Sequence, residues 1–270
     1  MGYLAVPTCP CDRKGESESM STPAIIRELF ADRPEVVARG LRRLARWCGT
    51  DAESGKRPED FESRRQELLE RDCEARLLGL AAGDDDVLRE LAMDALGAFA
   101  GDAALEALLT GCSDSVTEVR ASAAGALESW PEDSRVRDAL LTAVDDEKWL
   151  VRMRAARAMS AFEDEEVLDA LLEALVDPDS FVRYGAADAL RHKRSGAFLS
   201  RLRRHFDFPG PHMLDATMDL IADVGAAEDA RFLAKVGGWT NFSQPGYVKR
   251  WARKAAGRIR GRLRGQQPSG

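Results

Sequence analysis

Three side chains of types used in catalysis fall on one face of a predicted helix. Tyr184, Asp188 and Arg191 are spaced at i, i+4 and i+7, which places a phenol, a carboxylate and a guanidinium side by side. With Trp251 they could form a groove in which an acid lies beside aromatic rings and cations, which is a combination of groups that an active site can use. The same residue types are ordinary on a solvent-facing helix, so this is a weak catalytic candidate.

The motifs of the common enzyme classes are missing from the sequence. It contains no Gly-x-Ser-x-Gly, no His-Glu-x-x-His and no phosphate loop that ends in Gly-Lys-Ser or Gly-Lys-Thr. Cys9 and Cys11 are separated by one residue, whereas paired zinc ligands need two, and no second pair lies nearby. We therefore expect a protein that is not an enzyme and that uses no cofactor and no metal.

A strongly basic stretch near the C-terminus is the sharper feature. Residues 248–264 contain eight lysines and arginines, no acidic residue, and an apolar stripe at helical spacing. The pattern predicts a helix that docks through the stripe and turns a basic side outwards. That side could hold nucleic-acid phosphates, an acidic protein or an anionic membrane surface, or could only keep the end of the protein soluble. The outward cations are Lys249, Arg250, Arg253, Lys254, Arg260 and Arg264.

A repeated sequence motif indicates how these stretches are positioned; we call it the phrase, and we call the helix that contains it the phrase helix. Val-Arg-x-x-Ala-x-x-Ala, followed by Met or Leu, begins at Val151 and again 31 residues later at Val182. Related copies begin at Leu88, Val119, Met213 and Val248, and an apolar helical pattern precedes each phrase. Each repeat is therefore an antiparallel helix pair that buries its apolar face only by stacking on its neighbours. We expect an all-α fold, a right-handed α-α superhelix of about six helix pairs.

The repeated arginines need partners, because a cation near a helix N-terminus is disfavoured by the helix dipole. An aspartate lies in the turn five residues before each of three phrases. Bidentate Asp–Arg pairs would offset the dipole, so we predict a structural ladder along the stack. Its members are Asp114, Arg120, Asp146, Arg152, Asp177 and Arg183. Ser115 and Glu118 are in addition predicted to form a capping box at the start of one phrase helix.

The phrase helices are expected to line the concave side of the stack. Trp149, Phe181 and Tyr184 cluster at the start of adjacent phrase helices, and aromatic residues with arginines are typical interface anchors. We expect Phe181 itself to pack in the core. The predicted partner-binding residues are Trp149, Arg154, Arg157, Tyr184, Asp188, Arg191, Lys249, Arg250, Trp251, Arg253 and Lys254.

An aspartate in the turn, Val-Arg at the start of the second helix and then Ala-x-x-Ala-Leu resemble HEAT-type repeats. The period of about 31 residues is similar to the short bacterial form in phycobilisome-lyase-like proteins. The resemblance covers residues 71–193 well and 194–264 loosely, and it does not extend to 1–60. It implies a binding surface in most cases and an enzyme, such as a lyase or a DNA glycosylase, in a few; a glycosylase would use Tyr184, Asp188, Arg191 and Trp251.

Charge is unevenly distributed along the chain. The formal net charge is −7, but residues 61–180 carry 12 basic and 29 acidic side chains, whereas residues 181–270 carry 17 and 7. This distribution predicts a strong dipole, which either selects a charged partner or simply keeps the helix faces hydrated. The odd number of cysteines, five, and the absence of a signal peptide or a membrane-spanning stretch favour a cytoplasmic protein.

The predicted organisation is a disordered extension over 1–19, a helical cap over 20–58, a repeat array over 59–264 and a disordered tail over 265–270. A polar linker at 49–59 is the best candidate boundary. We expect a non-catalytic scaffold or adaptor that binds another protein through its concave groove and basic C-terminal end. A nucleic-acid-binding protein that uses the basic C-terminal third is the alternative, and a repeat-based enzyme comes third.

Overall fold

The computed structural model describes residues 22–48, 61–99, 101–193, 201, 214–227, 229–231, 233 and 246–265. Within these ranges every regular element is a helix and no strand occurs, so the predicted all-α repeat fold is confirmed. The predicted extension at 1–19 and the linker at 49–59 lie outside the described residues. The last helix ends at Gly265, one residue into the predicted tail, and the rest of that tail also lies outside.

The chain divides into two compact units, Met1–Phe99 and Ala100–Gly270. The first unit contains α1 (Thr22–Leu29), α2 (Pro34–Cys48), α3 (Phe61–Leu69), α4 (Cys73–Ala81) and α5 (Asp86–Leu96). Pro34 begins α2, where its missing N–H costs no helical hydrogen bond. Asp72 has a φ of 53° and separates α3 from α4. Helix α2 packs against α1 and α5, and α4 also packs against α5.

The second unit is a stack of helix pairs. Its helices with described bounds are α6 (Asp102–Gly111), α7 (Thr117–Ala126), α8 (Ser134–Ala143), α9 (Trp149–Ala158), α10 (Glu165–Ala174), α11 (Ser180–Arg191), α12 (Leu214–Val224) and α13 (Gly246–Gly265). Short 3-10 helices, Leu127–Ser129 and Met159–Ala161, extend α7 and α9. Each described pair consists of a first helix and a phrase helix: α6 with α7, α8 with α9, and α10 with α11.

The phrase helices form the more tightly packed layer of this stack. Helices α7, α9, α11, α12 and α13 each pack closely on the next, whereas the first helices α6, α8 and α10 barely touch one another. The small side chains Ala123, Ala155 and Ala186 are completely buried and permit this approach. A Cβ at Gly185 would lie only 3.1 Å from the carbonyl oxygen of Met153. We call the solvent-facing side of the phrase helices the inner side of the stack.

Aspartates and arginines of the turns connect successive pairs. Arg120 donates from Nε and Nη2 to the two carboxylate oxygens of Asp146 at 2.8 and 3.2 Å. Arg152 donates in the same way to Asp177, at 2.8 and 3.1 Å. Each arginine thus reaches the aspartate of the following turn, while its Nη1 donates to the backbone carbonyl of the aspartate in its own turn, Asp114 or Asp146, at 2.8 Å.

Arg183 continues this ladder through its own turn. It is buried, and its Nη1 donates to the carbonyls of Asp177 and Pro178 at 2.9 and 3.1 Å. The turn that follows in the sequence lies outside the described residues. The hydrogen bond to Asp177 raises the pKa of the Arg152 guanidinium, so this cation stays charged at any physiological pH.

The turn aspartates also close the turns in which they lie. Oδ1 of Asp114 accepts a hydrogen bond from the Val116 amide at 2.8 Å, and Asp146 and Asp177 accept equivalent bonds. Helix α7 begins at Thr117 with Val116 as its N-cap and receives no side-chain cap. The predicted capping box of Ser115 and Glu118 is therefore wrong, because the aspartate one residue earlier already organises the turn.

Candidate partner-binding surface

Three aromatic side chains form an exposed cluster where α9 and α11 begin. The rings of Trp149 and Phe181 stack with their centroids 5.1 Å apart and their planes 27° apart. Trp149, Phe181 and Tyr184 are 41%, 55% and 40% exposed. Large apolar side chains that are exposed together usually mark an interaction site, because a partner that covers them removes apolar surface from water. We call these three residues the aromatic cluster.

The prediction that Phe181 packs in the core is wrong, and the register of α11 explains why. Val182, Ala186 and Ala189 are buried and define the face of α11 that packs in the stack. Phe181 precedes Val182 by one residue, which rotates it by about 100° around the helix axis. It therefore shares the solvent-facing side with Tyr184, three residues later.

Charged side chains extend the inner side of α9 and α11 beyond the aromatic cluster. Nη2 of Arg157 lies 3.7 Å from Oδ2 of Asp188, and Nη1 of Arg191 lies 3.3 Å from Oδ1 of the same carboxylate. Nε of Arg191 donates to Asp223 on α12 at 2.8 Å. The Asp188 carboxylate is thus held between two guanidinium groups, one on the neighbouring helix and one on its own.

Arg154 lies across the neighbouring phrase helix. A Cβ at Gly125 on α7 would be 3.3 Å from Nη1 of Arg154 and 3.4 Å from its Cδ. The missing side chain at Gly125 therefore provides the space in which Arg154 lies. Arg154 thus connects α9 to α7, as Arg191 connects α11 to α12 through Asp223.

The other predicted binding residues lie on α13. Arg250, Arg253 and Lys254 are exposed, whereas the side chains of Lys249 and Trp251 lie outside the described residues. The predicted apolar stripe is buried at Ala252, Ala255 and Ile259. A glycosylase-like arrangement of Tyr184, Asp188, Arg191 and Trp251 therefore has three members on α11, while the side chain of the fourth is not described.

Reasoning from the sequence missed the arginines that dock α13 against α12. Nη1 of Arg258 donates to Asp219 at 2.7 Å and its Nη2 donates to Asp223. Arg262 donates to the backbone carbonyls of Asp223 and Gly225. A signal was present in the sequence, because Asp219 and Asp223 on one helix and Arg258 and Arg262 on the other are each four residues apart, as two facing ridges require.

The thiols of Cys73 and Cys112 are poor candidates for chemistry. Burial, together with the nearby charge of Asp72, raises the pKa of Cys73 to about 11, and burial raises that of Cys112 to about 12. A thiol with so high a pKa contains little of the reactive thiolate at neutral pH. Among the described residues no group of three or more potential metal ligands occurs. None of the described helices is both long and apolar enough to span a bilayer.

Comparison with known families identifies the central part of the second unit. The family model of HEAT repeats matches residues 106–191, which begin in α6 and end with α11. These residues form HEAT repeats. The ladder, the aromatic cluster and the Arg157–Asp188–Arg191 network accordingly fall within or at the edge of the HEAT repeats. A search of curated proteins finds no match for the chain.

Solved structures extend the likeness at the level of the fold. The complex of CpcE and CpcF of phycocyanin lyase from Nostoc sp. PCC7120 is similar with a TM-score of 0.52 and 15% identity, over 98% of this chain and 95% of that chain. A designed armadillo repeat protein in complex with the peptide (KR)4 is similar with a TM-score of 0.47 and 16% identity, over 88% and 99%. The predicted resemblance to phycobilisome-lyase-like HEAT repeats is confirmed for the fold.

Proposed function

We propose that this protein is a non-catalytic scaffold that holds a segment of another protein against the inner side of α9 and α11. The aromatic cluster is the observation that carries the proposal. Aromatic residues and arginines dominate the binding free energy of protein interfaces, and here both types lie together on the inner side of HEAT repeats.

The size of the cluster is sufficient for an anchor. Covering the exposed part of one such ring contributes on the order of 1.5–2 kcal/mol, by the usual free energy per unit of buried apolar area. The rings of Trp149 and Phe181 already stack on each other in the absence of a partner. A partner would therefore lose little free energy in arranging them.

Charged groups beside the cluster would orient the bound segment. The Arg157 side chain is 58% exposed, and exposed ion pairs contribute little to folding, so Arg157 can be redirected to a partner at small cost, while Asp188 is 43% exposed and open to a partner on one side. They offer a donor and an acceptor next to an apolar anchor, which is the composition of an interface core with a polar rim. Arg157 and Arg191 face one oxygen each of the Asp188 carboxylate, and because both oxygens are thus paired, a non-catalytic role for this carboxylate is supported.

The environment of the protein is part of the proposal. We infer that it works in a reducing compartment such as the cytoplasm. The thiols of Cys73 and Cys112 support this, because neither forms a disulfide in the structure.

Selection of peptides from a random display library tests the proposed function. We expect peptides selected on the full-length protein to bind the double variant Trp149→Ala/Phe181→Ala at least tenfold more weakly. The matched control is Phe30→Ala/Val87→Ala, which removes two apolar side chains of similar exposure, 48% each, from the first unit. The control should bind as the wild type does. Selected peptides that bind both double variants equally well, or a library from which none is enriched, would show that the cluster is not an anchor.

A further inference from the structure

Helix α13 divides its cations between two sides. Arg258 and Arg262 hold the helix against α12 through Asp219, Asp223 and the carbonyl of Gly225. Four other arginines point away from α12 and are exposed, and within the described part of the chain none of them takes part in an ion pair. They are Arg250, Arg253, Arg260 and Arg264. Since α13 contains no acidic residue, its outer side is uniformly positive.

The shape of this outer side is as regular as its charge. At about 100° per residue, the four arginines and Gly257 and Gly261 fall within an arc of about 100° around the axis. From Arg250 to Arg264 the row is about 21 Å long. A Cβ at Gly257 or Gly261 would meet nothing within 4 Å. The backbone of α13 is therefore open to a close approach along a row of cations.

We propose that the outer side of α13 binds the phosphate backbone of a nucleic-acid duplex without regard to its sequence. A duplex carries about one charge per 1.7 Å of its axis, so a row of about 21 Å faces on the order of ten phosphates. Guanidinium groups are matched to phosphate by charge and by bidentate geometry. The row offers charged contacts to the backbone, and its described side chains include none of the amide or carboxylate groups that read adenine and cytosine edges.

Other polyanionic partners fit the same surface less well. An interfacial membrane helix inserts an apolar side, but the apolar residues of α13, including Ala252, Ala255 and Ile259, are buried on the side towards α12. A protein interface normally contains an apolar or aromatic anchor, and the described outer side chains of α13 include none. Single strands are held largely by aromatic stacking, for which the same side chains offer no platform.

Titration of a fluorescent DNA duplex about two helical turns long with the full-length protein tests this proposal. With about four phosphate contacts, affinity should fall roughly a hundredfold between 50 and 200 mM salt. The variant Arg253→Glu/Arg260→Glu should bind at least tenfold more weakly at low salt and show a shallower salt dependence. The matched control is Arg42→Glu/Arg46→Glu, which makes the same charge change at two exposed arginines of α2 in the first unit. It should retain at least half of the affinity.

A second variant separates close approach from charge alone. Gly257→Leu/Gly261→Leu leaves every charge in place and adds bulk in the middle of the arginine row. Leucine has a higher helix propensity than glycine, so α13 should fold at least as well. We expect several-fold weaker duplex binding with an unchanged circular dichroism spectrum, because the leucine side chains would block the close approach of the phosphates to the backbone of α13.

Four results would overturn the proposal. The first is that the duplex does not bind at low salt, and the second is that the α2 control loses as much affinity as the Arg253→Glu/Arg260→Glu variant. The third is tighter binding of the single strand than of the duplex. The fourth is binding to phosphatidylserine vesicles but not to the duplex. An RNA duplex of the same length should bind within a fewfold of DNA, because contacts with phosphates alone distinguish the two poorly. None of these results depends on the aromatic cluster, so the two proposals stand or fall separately.

Discussion

Arginine and glycine occur in two settings in the second unit, and the difference separates structure from binding. Inside the stack, Arg120 and Arg152 are mostly shielded from water, and each one joins its own turn to the next. On the outer side of α13, Arg253 and Arg260 are exposed and make no ion pair within the described residues. The same side chain therefore connects repeats in one place and remains available to a partner in the other.

The glycines follow the same division. Gly185 lies where α11 approaches α9 so closely that a Cβ would press against the Met153 carbonyl. Gly257 faces open space on α13. A glycine between packed helices provides room for a neighbour, whereas an exposed glycine in a helix lowers helix stability and gains no packing in return. The exposed pair on α13 thus has no structural explanation in the described chain, and the proposed duplex interface supplies one.

The largest effect is expected from removal of a ladder arginine. Arg152→Ala would remove the guanidinium partner of the Asp177 carboxylate and the side-chain donor to the carbonyls of Asp146 and Glu147, in a mostly shielded position. Breaking such a pair should lower the free energy of unfolding by about 3 kcal/mol. The control Arg250→Ala removes an exposed arginine and should stay within about 0.5 kcal/mol of wild type. Urea unfolding followed by circular dichroism measures the free energy of unfolding of both variants. Equal losses of stability would remove the distinction between the ladder arginines and those on the outer side of α13.

A somewhat smaller effect is expected when Gly185, and for comparison Gly257, is replaced by leucine. Gly185→Leu places a side chain where even a Cβ would lie 3.1 Å from a backbone oxygen and 3.5 Å from Cγ of Arg157. Overpacking of this kind should cost about 2 kcal/mol, after the gain in helix propensity. Gly257→Leu meets open space and should be neutral or stabilising. Thermal unfolding of the two variants tests the division, which fails if they shift the midpoint in the same direction.

The sequence predicts the repeat architecture well because the information is local. The Val-Arg phrase, its alanines and the preceding aspartate lie within a few residues of one another, so the helix pairs and the pairing of residue types follow from one unit. The aspartate that pairs with each arginine is harder to predict from the sequence. Asp114 and Asp146 are equally plausible carboxylates for Arg120, and only the stacking shows that one offers its carbonyl and the other its side chain.

The surfaces were predicted less completely, because exposure depends on rotation about a helix axis. A shift of one residue places Phe181 outside the core although Val182 is buried. On α13 the density of cations predicts a basic helix, but the eight positive charges alone do not reveal which of them dock. That choice depends on Asp219 and Asp223, which lie on another helix and about 35 residues away in the sequence.

The smallest expected effect concerns pH and sharpens the comparison at one carboxylate. Burial acts to raise the pKa of Asp146, but the hydrogen bonds from Arg120 and from the Lys148 amide outweigh it, so the pKa lies below the ordinary value of 3.8. A carboxyl with a lowered pKa in the folded state stabilises the fold above its unfolded pKa and loses that contribution as the pH falls through the folded pKa. The ladder should therefore weaken below about pH 4.

Asp146→Asn isolates this contribution. At pH 7 the variant should be about 1.5 kcal/mol less stable than wild type, since it loses a charge-assisted bond to Arg120. The difference should shrink as the pH falls below about 4, because protonation of Asp146 then removes the same bond from the wild type. Asp145→Asn, in the same turn and exposed, should follow wild type throughout. Urea unfolding between pH 2 and pH 7 decides the matter, since a difference that stays constant with pH would mean that the charge of Asp146 contributes nothing to the ladder.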